Sequence, residues 1–349
     1  MRSVEWANGR VRLLDQRKLP YTVSYVEYDD YRGVANAITE RVVVGPGAIG
    51  ATAAYGIALA ATQSAAMDMG SLLDFIEIAA VILRKADPNT PHLANCVDRM
   101  VRYARHDVHR DAREIRSSLL AEAHKIAESD IAANKRLGKY GASLIRSGDT
   151  VLVHASSGAL DSVDFGVVLG IIRTAQSSGK RFTVLVTESR PSLSGALRTA
   201  WELQEERIPF TLIADAAAGY FIRRGEVSII IIGANQVALN GDATAPIGAY
   251  SLSVLARESR VPFYVSAPLS LVDINLATGD NLPVFDHPLD ELHTPNGMNL
   301  YPEHYPLRNP ALDVIPQRYL AGIVTEAGII APPFRETLAN AVARFTRAT

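Results

Sequence analysis

One cysteine, Cys96, in 349 residues excludes an internal disulfide and a zinc ribbon, and suits a reducing compartment. No stretch reaches the roughly 20 uninterrupted apolar residues that a membrane span needs. The N-terminal "MRSVEWANGRVRLLDQRKLP" has no apolar core of the kind a signal peptide carries. Neither charge sign is in excess: the formal net charge of −2 gives no electrostatic reason to expect nucleic acid or an anionic membrane as partner. The expectation is a cytoplasmic protein with no nucleic-acid and no membrane partner. With 48% hydrophobic and 21% charged residues the chain has the composition of a folded globular protein, and its length favours two domains.

Up to about residue 45 short alternating stretches such as "RVRLL" and "YTVSYVEY" suggest a few strands. After "VGPG" the spacing of apolar residues predicts helices over 48–61, 71–85, 91–103 and 113–136. The texture changes again near "LGKYGASLIRSGDT", which places an N-terminal domain at 1–140 and a second domain at 141–349. In the second domain apolar runs alternate with helical patterns. "TVLVH" (150–154), "RFTVLVT" (181–187), "PFTLIA" (209–214), "VSIIIIG" (227–233) and "VPFYVSA" (261–267) are the runs, and helices are predicted at 163–176, 194–206, 216–224 and 247–259. Such runs with intervening helices predict βαβ units and a parallel sheet covered on both faces. The fold class is α/β: a C-terminal Rossmann-like parallel-sheet domain with a smaller, mainly helical N-terminal domain.

In open parallel sheets ligands bind outside the carboxyl ends of the strands. The loops there read "HASSG" (154–158), "TESRPSLSG" (187–195), "ADAAAG" (214–219) and "GANQVALNGD" (233–242). They offer His154, Ser156, Ser157, Glu188, Arg190, Ser194, Asp215, Asn235, Asn240 and Asp242 as a converging polar set. Each also has a plain reading, because Asp, Asn, Ser and Gly are what turns and helix caps use.

Five blocks in order carry a family resemblance: "VGPGAIGATAAYGIALAA" (44–61), "TESRPSLSGALRTAWEL" (187–203), "IGANQVALNGD" (232–242), "IGAYSLSVLA" (247–256) and "VPFYVSAPLSLVD" (261–273). They resemble the methylthioribose-1-phosphate isomerase family. Its superfamily also holds ribose-1,5-bisphosphate isomerase and the alpha, beta and delta subunits of the exchange factor for translation initiation. The resemblance extends to "NPALDVIP" (309–316) and "IVTEAGIIAPPF" (323–334). It implies a small N-terminal domain, a Rossmann-like domain, a homodimer, and for standard members the conversion of a cyclic aldose 1-phosphate into the ketose. That reaction needs a group to move a proton between C1 and C2 and another to assist ring opening.

The chain departs from the family where the chemistry lies. The resemblance places the catalytic cysteine at Ala155 and the catalytic aspartate at Asn235, which hydrogen-bonds but exchanges no proton near neutral pH. Arginines of the family fall on Val44 and Asp87, its glutamine on Ser194, and its Asn-Lys pair on Ala245 and Pro246. Charge-assisted phosphate contacts are worth on the order of 1.5–3 kcal/mol each. Losing three moves a micromolar phosphosugar toward roughly millimolar affinity. The family's standard activity is therefore not expected.

Among the remaining groups, His154 has a near-neutral titration range at a strand end, although standard relatives carry a histidine there too. Ser156 and Ser157 become nucleophiles only beside a base, and otherwise cap a helix. Asp161 and Asp164 suit the first turn of the helix that follows them. Asp242 reads equally as a loop pin or a ligand to a substrate hydroxyl. His92 and Cys96 are four apart and share a helix face. His106 and His109 have a metal-ligand spacing of three, but with no carboxylate pattern beside them they read as an exposed helix face. Gly45 and Gly47 open a helix with N–H groups able to hold an anion or hydroxyls. No G-x-G-x-x-G turn follows a predicted strand with an acidic residue about 20 positions on, so a nicotinamide cofactor is not expected, and no metal is expected either.

Two functions fit. One is a divergent enzyme on a small polar or sugar-like metabolite, with His154, Ser156, Ser157, Asn235 and Asp242 as catalytic candidates and Gly45, Gly47, Glu188, Arg190, Ser194 and Asn240 as substrate-binding candidates. The other is a non-catalytic ligand-binding or regulatory protein of the exchange-factor kind.

Overall fold

The structure is a computed structural model; it describes residues 2–106, 111–282 and 284–348. The chain divides into two compact units, Met1–Ala132 with Ala159–Gly166, and Ala133–Gly158 with Val167–Thr349. Sequence texture suggests a single boundary at 140/141, whereas residues 159–166 belong with the first unit. Hydrogen bonds hold them there: Ser3 N–H donates to the Val163 carbonyl (3.0 Å), Gln16 Nε2 to the Leu160 carbonyl (2.7 Å), and Val163 N–H to Asp130 Oδ2 (3.0 Å).

In the first unit, β1 (Val4–Ala7), β2 (Arg10–Leu14) and β3 (Tyr25–Tyr28) form an antiparallel sheet in that order. Four helices follow, α1 (Tyr31–Thr39), α2 (Pro46–Gln63), α3 (Met69–Arg84) and α4 (Pro91–Ala104), and α5 (Ala112–Ala142) contributes its residues up to Ala132. Every residue of α2 from Ala48 to Ala61 is buried. A helix buried on all sides cannot show a one-sided apolar stripe, and its alanines and glycines let neighbours close on it. The short helix α1, whose buried Tyr31, Val34, Ala35 and Ile38 follow the three-and-four spacing of a helix, is an addition to the sequence expectation.

The second unit begins with β4 (Thr150–Val153), α6 (Val168–Ser177), β5 (Thr183–Thr187), α7 (Ala200–Glu205), β6 (Phe210–Ile213), α8 (Ala218–Arg223) and β7 (Ile229–Gly233). It continues with β8 (Gln236–Ala238), β9 (Ala243–Pro246), α9 (Ala249–Glu258), β10 (Phe263–Ser266), β11 (Val272–Asp273) and α10 (Asp290–His293). It ends with β12 (Leu312–Ile315), β13 (Gly322–Thr325), β14 (Gly328–Ile330) and α11 (Phe334–Ala348). The main sheet runs β14-β13-β10-β7-β4-β5-β6, parallel except for the antiparallel edge strand β14. All of β7 is buried, as its unbroken isoleucines require of a central parallel strand. A second sheet, β11-β8-β9-β12, is an addition to the sequence expectation, and its strand β8 lies within the loop read at 233–242.

The strand order makes β4 and β7 neighbours whose connections leave in opposite directions. Their carboxyl ends therefore flank a topological switch point, where such sheets bind ligands.

Candidate active site

His154, which is 3% exposed, directly follows β4. Its Nε2 lies 2.9 Å from the Ile247 carbonyl and its Nδ1 2.7 Å from Thr187 Oγ1. A carbonyl only accepts, so Nε2 carries the proton and Nδ1 accepts from the threonine hydroxyl. Burial holds the imidazole below its ordinary titration range, with the Asp215 carboxylate pulling the other way. Both ring nitrogens of this neutral histidine are spent within the protein.

The same network fixes the next residue. Ala155 takes a left-handed backbone (φ 61°), which costs an ordinary side chain about 1–2 kcal/mol. Its N–H donates to Ser189 Oγ (2.7 Å) and its carbonyl accepts from Thr199 Oγ1 (2.8 Å). Ser189 and Leu193, in the loop after β5, are also left-handed (φ 63° and 54°). Asp215, at the end of β6, accepts the N–H groups of Ser189 (2.8 Å) and Arg190 (2.6 Å) and so fixes that loop. Three strand-end loops are thus tied together, and residues held this way cluster at functional sites.

Ser156 is half-buried. The Ser157 hydroxyl donates to the Ser156 carbonyl (2.7 Å), and the Ser157 carbonyl accepts from Val168 N–H (2.9 Å) at the start of α6. Its Oγ rests against Gly233, where any side chain would collide with it. Glu188 is half-buried with no side-chain hydrogen bond or ion pair among the described residues. Arg190 spends its guanidinium on the carbonyls of Leu292 (3.0 Å) and Pro191 (3.3 Å). Ser194 is 4% exposed, and its hydroxyl makes no hydrogen bond among the described residues.

Two residues beyond β7, the half-buried Asn235 uses its backbone N–H on the Thr244 carbonyl (2.8 Å) and leaves its side-chain amide unspent among the described residues. Asp242 is differently placed. Its Oδ1 accepts from Gln317 N–H (2.8 Å), and its Oδ2 from Gly279 N–H (2.9 Å) and Asn240 Nδ2 (2.7 Å). Asn240 Oδ1 in turn accepts from Asp242 N–H (3.0 Å). Asp242 and Asn240 hold three chain segments together, a pinning arrangement.

The other candidates lie in the first unit. Gly45 (φ 88°) faces the Asp161 backbone so closely that a Cβ would overlap it, and a Cβ at Gly47 would come 2.6 Å from Asp130 Oδ1. Close approach of chain to chain explains both glycines. The helix after "HASSG" starts at Val168, not near 163, so Asp161 and Asp164 are outside its first turn. Cys96 Sγ is 3.6 Å from His92 Nε2, against Gly50 of α2, and burial pushes its thiol up to about 12, far from thiolate chemistry at neutral pH. α4 stops at Ala104, so the exposed His106 is not on a helix face, and His109 lies outside the described residues.

Sequence reasoning missed Thr187, Ser189 and Thr199, which build the loop frame, and Arg198, half-buried with Nε unpartnered. Thr187 and Ser189 stand in a quoted loop, where their alternation with Glu188 was the available signal. Chemically, the switch-point loops present an amide, a carboxylate and a hydroxyl on a tightly fixed backbone. This suits hydrogen-bonding of a small polyhydroxylated ligand.

A sequence profile of the initiation factor 2 subunit family matches residues 42–332. Methylthioribose-1-phosphate isomerase of Geobacter metallireducens is 42% identical over 329 residues, covering 94% of this chain and 95% of that protein. The protein of that name from Acetivibrio thermocellus is 41% identical over 341 residues, covering 97% and 99%. Among solved structures, 5-methylthioribose 1-phosphate isomerase from Pyrococcus horikoshii superposes with a TM-score of 0.92 at 36% identity, covering 98% of this chain and 96% of that one. Translation initiation factor eIF-2B subunit delta from A. fulgidus gives 0.87 at 33% identity, covering 98% and 99%.

Proposed function

This chain belongs to the initiation factor 2 subunit family, and from that premise we propose that it is a divergent relative of the methylthioribose-1-phosphate isomerases. It acts on a small polar or sugar-like metabolite without the standard phosphosugar isomerisation, with a homodimer as its expected assembly. The observation that carries this reading is the contrast at Ala155. Its backbone is held in a left-handed conformation by Ser189 and Thr199, yet its methyl group has no acid–base chemistry. The frame of a reactive loop persists without the reactive group.

The ligand-facing roles then fall to the groups the fold leaves unspent. Asn235 donates and accepts through its amide, and Glu188 accepts hydroxyl protons and is the carboxylate able to act as a base. His154, Ser157 and Asp242 act by fixing backbone. Ser156, Arg190 and Asn240 shape or border the loops that carry the site, while Gly45 and Gly47 let chain segments of the first unit approach closely.

A second reading, a regulatory ligand-binding protein, draws on one specific feature: both nitrogens of His154 are committed, which removes the imidazole as a proton carrier. A thermal-shift panel of sugars, polyols and sugar phosphates on the full chain, followed by product analysis, separates the two. A compound that raises the melting temperature and is consumed supports the enzyme. One that is bound and recovered unchanged supports the regulator, and no response across the panel would remove the metabolite site.

A further inference from the structure

The end of β4 is shut off from water: His154 and Ala155 are each 3% exposed. A metabolite reaches them only if a neighbouring segment moves, and residues 288–308 of the second unit are built to do so. They form a loop longer than the roughly 12–15 residues beyond which irregular loops are uncommon and mostly functional, with α10 and the turn Pro295–Gly297 as its regular pieces. Its two ends are fastened to each other. Asp286 bridges Pro310, His287 N–H donates to the Asn309 carbonyl (2.7 Å), Ala311 N–H to the Phe285 carbonyl (3.0 Å), and Asn309 Nδ2 to the Pro288 carbonyl (2.8 Å). A loop pinned at its base in this way moves as a flap about that base.

The attachments of base and tip fix what the flap spans. At the base, Ile247 N–H donates to the Ala311 carbonyl (3.0 Å), and the Ile247 carbonyl holds His154 Nε2. At the tip, Arg190 Nη2 donates to the Leu292 carbonyl (3.0 Å). Arg190 stands in the β5 loop, where Thr187 holds the other nitrogen of His154 and Ser189 holds the Ala155 N–H. The flap therefore runs from one neighbour of His154 and Ala155 to the other, across the end of β4.

Its two sides differ. Residues 291–294 are half-buried and Pro295 is buried, whereas 297–306 are exposed, Met298, Leu300, Tyr301 and Tyr305 among them. On the inner side His293 Nε2 is enclosed without a hydrogen-bond partner among the described residues. That unmade bond opposes closure, because water satisfies the nitrogen once the flap lifts; the Arg190 bond to Leu292 opposes opening. Contributions of opposite sign leave the two states close in free energy, which is what a gate requires.

We propose that residues 288–308 are a flap that gates the crevice, hinged at 285–287 and 309–311 and latched by Arg190 on the Leu292 carbonyl. The assignment rests on the reading of this crevice as a metabolite site and adds how that site opens.

The test measures access to position 155 with iodoacetamide. Ala155→Cys is made in a Cys96→Ala background, so that one thiol is present. Alkylation is followed well below the melting temperature and across pH, which separates opening from unfolding and access from thiol ionisation. Three forms of the full chain are compared: flap unaltered, Arg190→Met, and residues 289–307 replaced by two glycines. Slow alkylation is expected with the unaltered flap, and roughly tenfold or faster alkylation in the other two, tenfold being near the low end of what a hydrogen bond from a charged donor contributes. If the shortened chain does not fold, hydrogen exchange decides. The Leu292, His293, Thr294 and Leu300 amides should then exchange faster in Arg190→Met, while the His287 and Ala311 amides at the base keep their protection. Equal alkylation in all three forms, or a thiol that reacts under the unaltered flap as fast as in denaturant, overturns the proposal. Acceleration by Arg190→Met alone overturns it too, since it assigns the effect to the β5 loop, and acceleration by shortening alone strikes the latch. No metabolite enters this experiment, so failure of the flap leaves the metabolite reading standing, and a silent metabolite panel leaves the flap standing.

Discussion

At His154 the partners decide the protonation state. Ile247 offers only an acceptor and Thr187 completes the ring's bonding, so protonation would cost the Thr187 bond and place a charge in a buried position. The folded-state value therefore lies below the ordinary 6.5, with burial as the main cause. The unfolded chain takes up the proton first as pH falls. The stability contributed by the neutral ring is complete above 6.5 and is lost as pH drops from there toward the lowered folded value. The urea midpoint of wild type should fall further between about pH 7.5 and about pH 5.5 than that of His154→Gln, which keeps an N–H donor for Ile247. Parallel pH dependences would show that the ring titrates alike in both states. The sequence located His154, Asn235 and Glu188 in strand-end loops, because loop position follows from the apolar runs. Which side chains are spent and which are free was not legible, since their partners come from Ile247, Thr187 and Asp215 in other loops.

Elements were legible where one periodicity dominates. The five apolar runs became β4, β5, β6, β7 and β10, with ends shifted by one or two residues. The stretch "NQVALNGDATAP" was legible in principle and not read: Asn-Gly between apolar residues signals a hairpin, and Gly241 (φ 93°) turns β8 into β9. That hairpin depends on Asp242, whose carboxylate receives Gly279 and Gln317 N–H groups from segments remote in sequence. Such long-range pairing has no local signature. Asp242→Ala leaves two backbone donors without their acceptor, at about 1–3 kcal/mol each, so a loss of roughly 2–6 kcal/mol is expected in urea unfolding. Wild-type stability in that variant would return Asp242 to the catalytic candidates.

At the scale of the molecule, identity near 40% to the isomerases runs over nearly the whole chain, and the backbone matches the Pyrococcus horikoshii enzyme at a TM-score of 0.92. No helix among the described residues is long and apolar enough to cross a membrane. With the frame shared to this degree, the proposed divergence would have to reside in side chains, with the chemistry at positions 155 and 235 and the binding contacts at Val44, Asp87, Ser194, Ala245 and Pro246. Isomerisation needs a proton carrier at C1 and C2 and a group that assists ring opening; a methyl group and an amide supply neither. Wild type should therefore leave methylthioribose 1-phosphate unconverted. In the double variant Ala155→Cys, Asn235→Asp the thiol enters on a backbone already held by Ser189 and Thr199, and the carboxylate on one held by the Thr244 carbonyl. Positioned acid–base groups contribute about 10²–10⁴-fold, and kcat is expected to rise by that order above any residual wild-type rate. KM should stay high, because Val44, Asp87 and Pro246 still stand where the resemblance places phosphate-binding cations. A rise in kcat at unchanged KM is what separates restored chemistry from restored binding. Robust turnover by wild type would mean that the substitutions at 155 and 235 do not control the reaction.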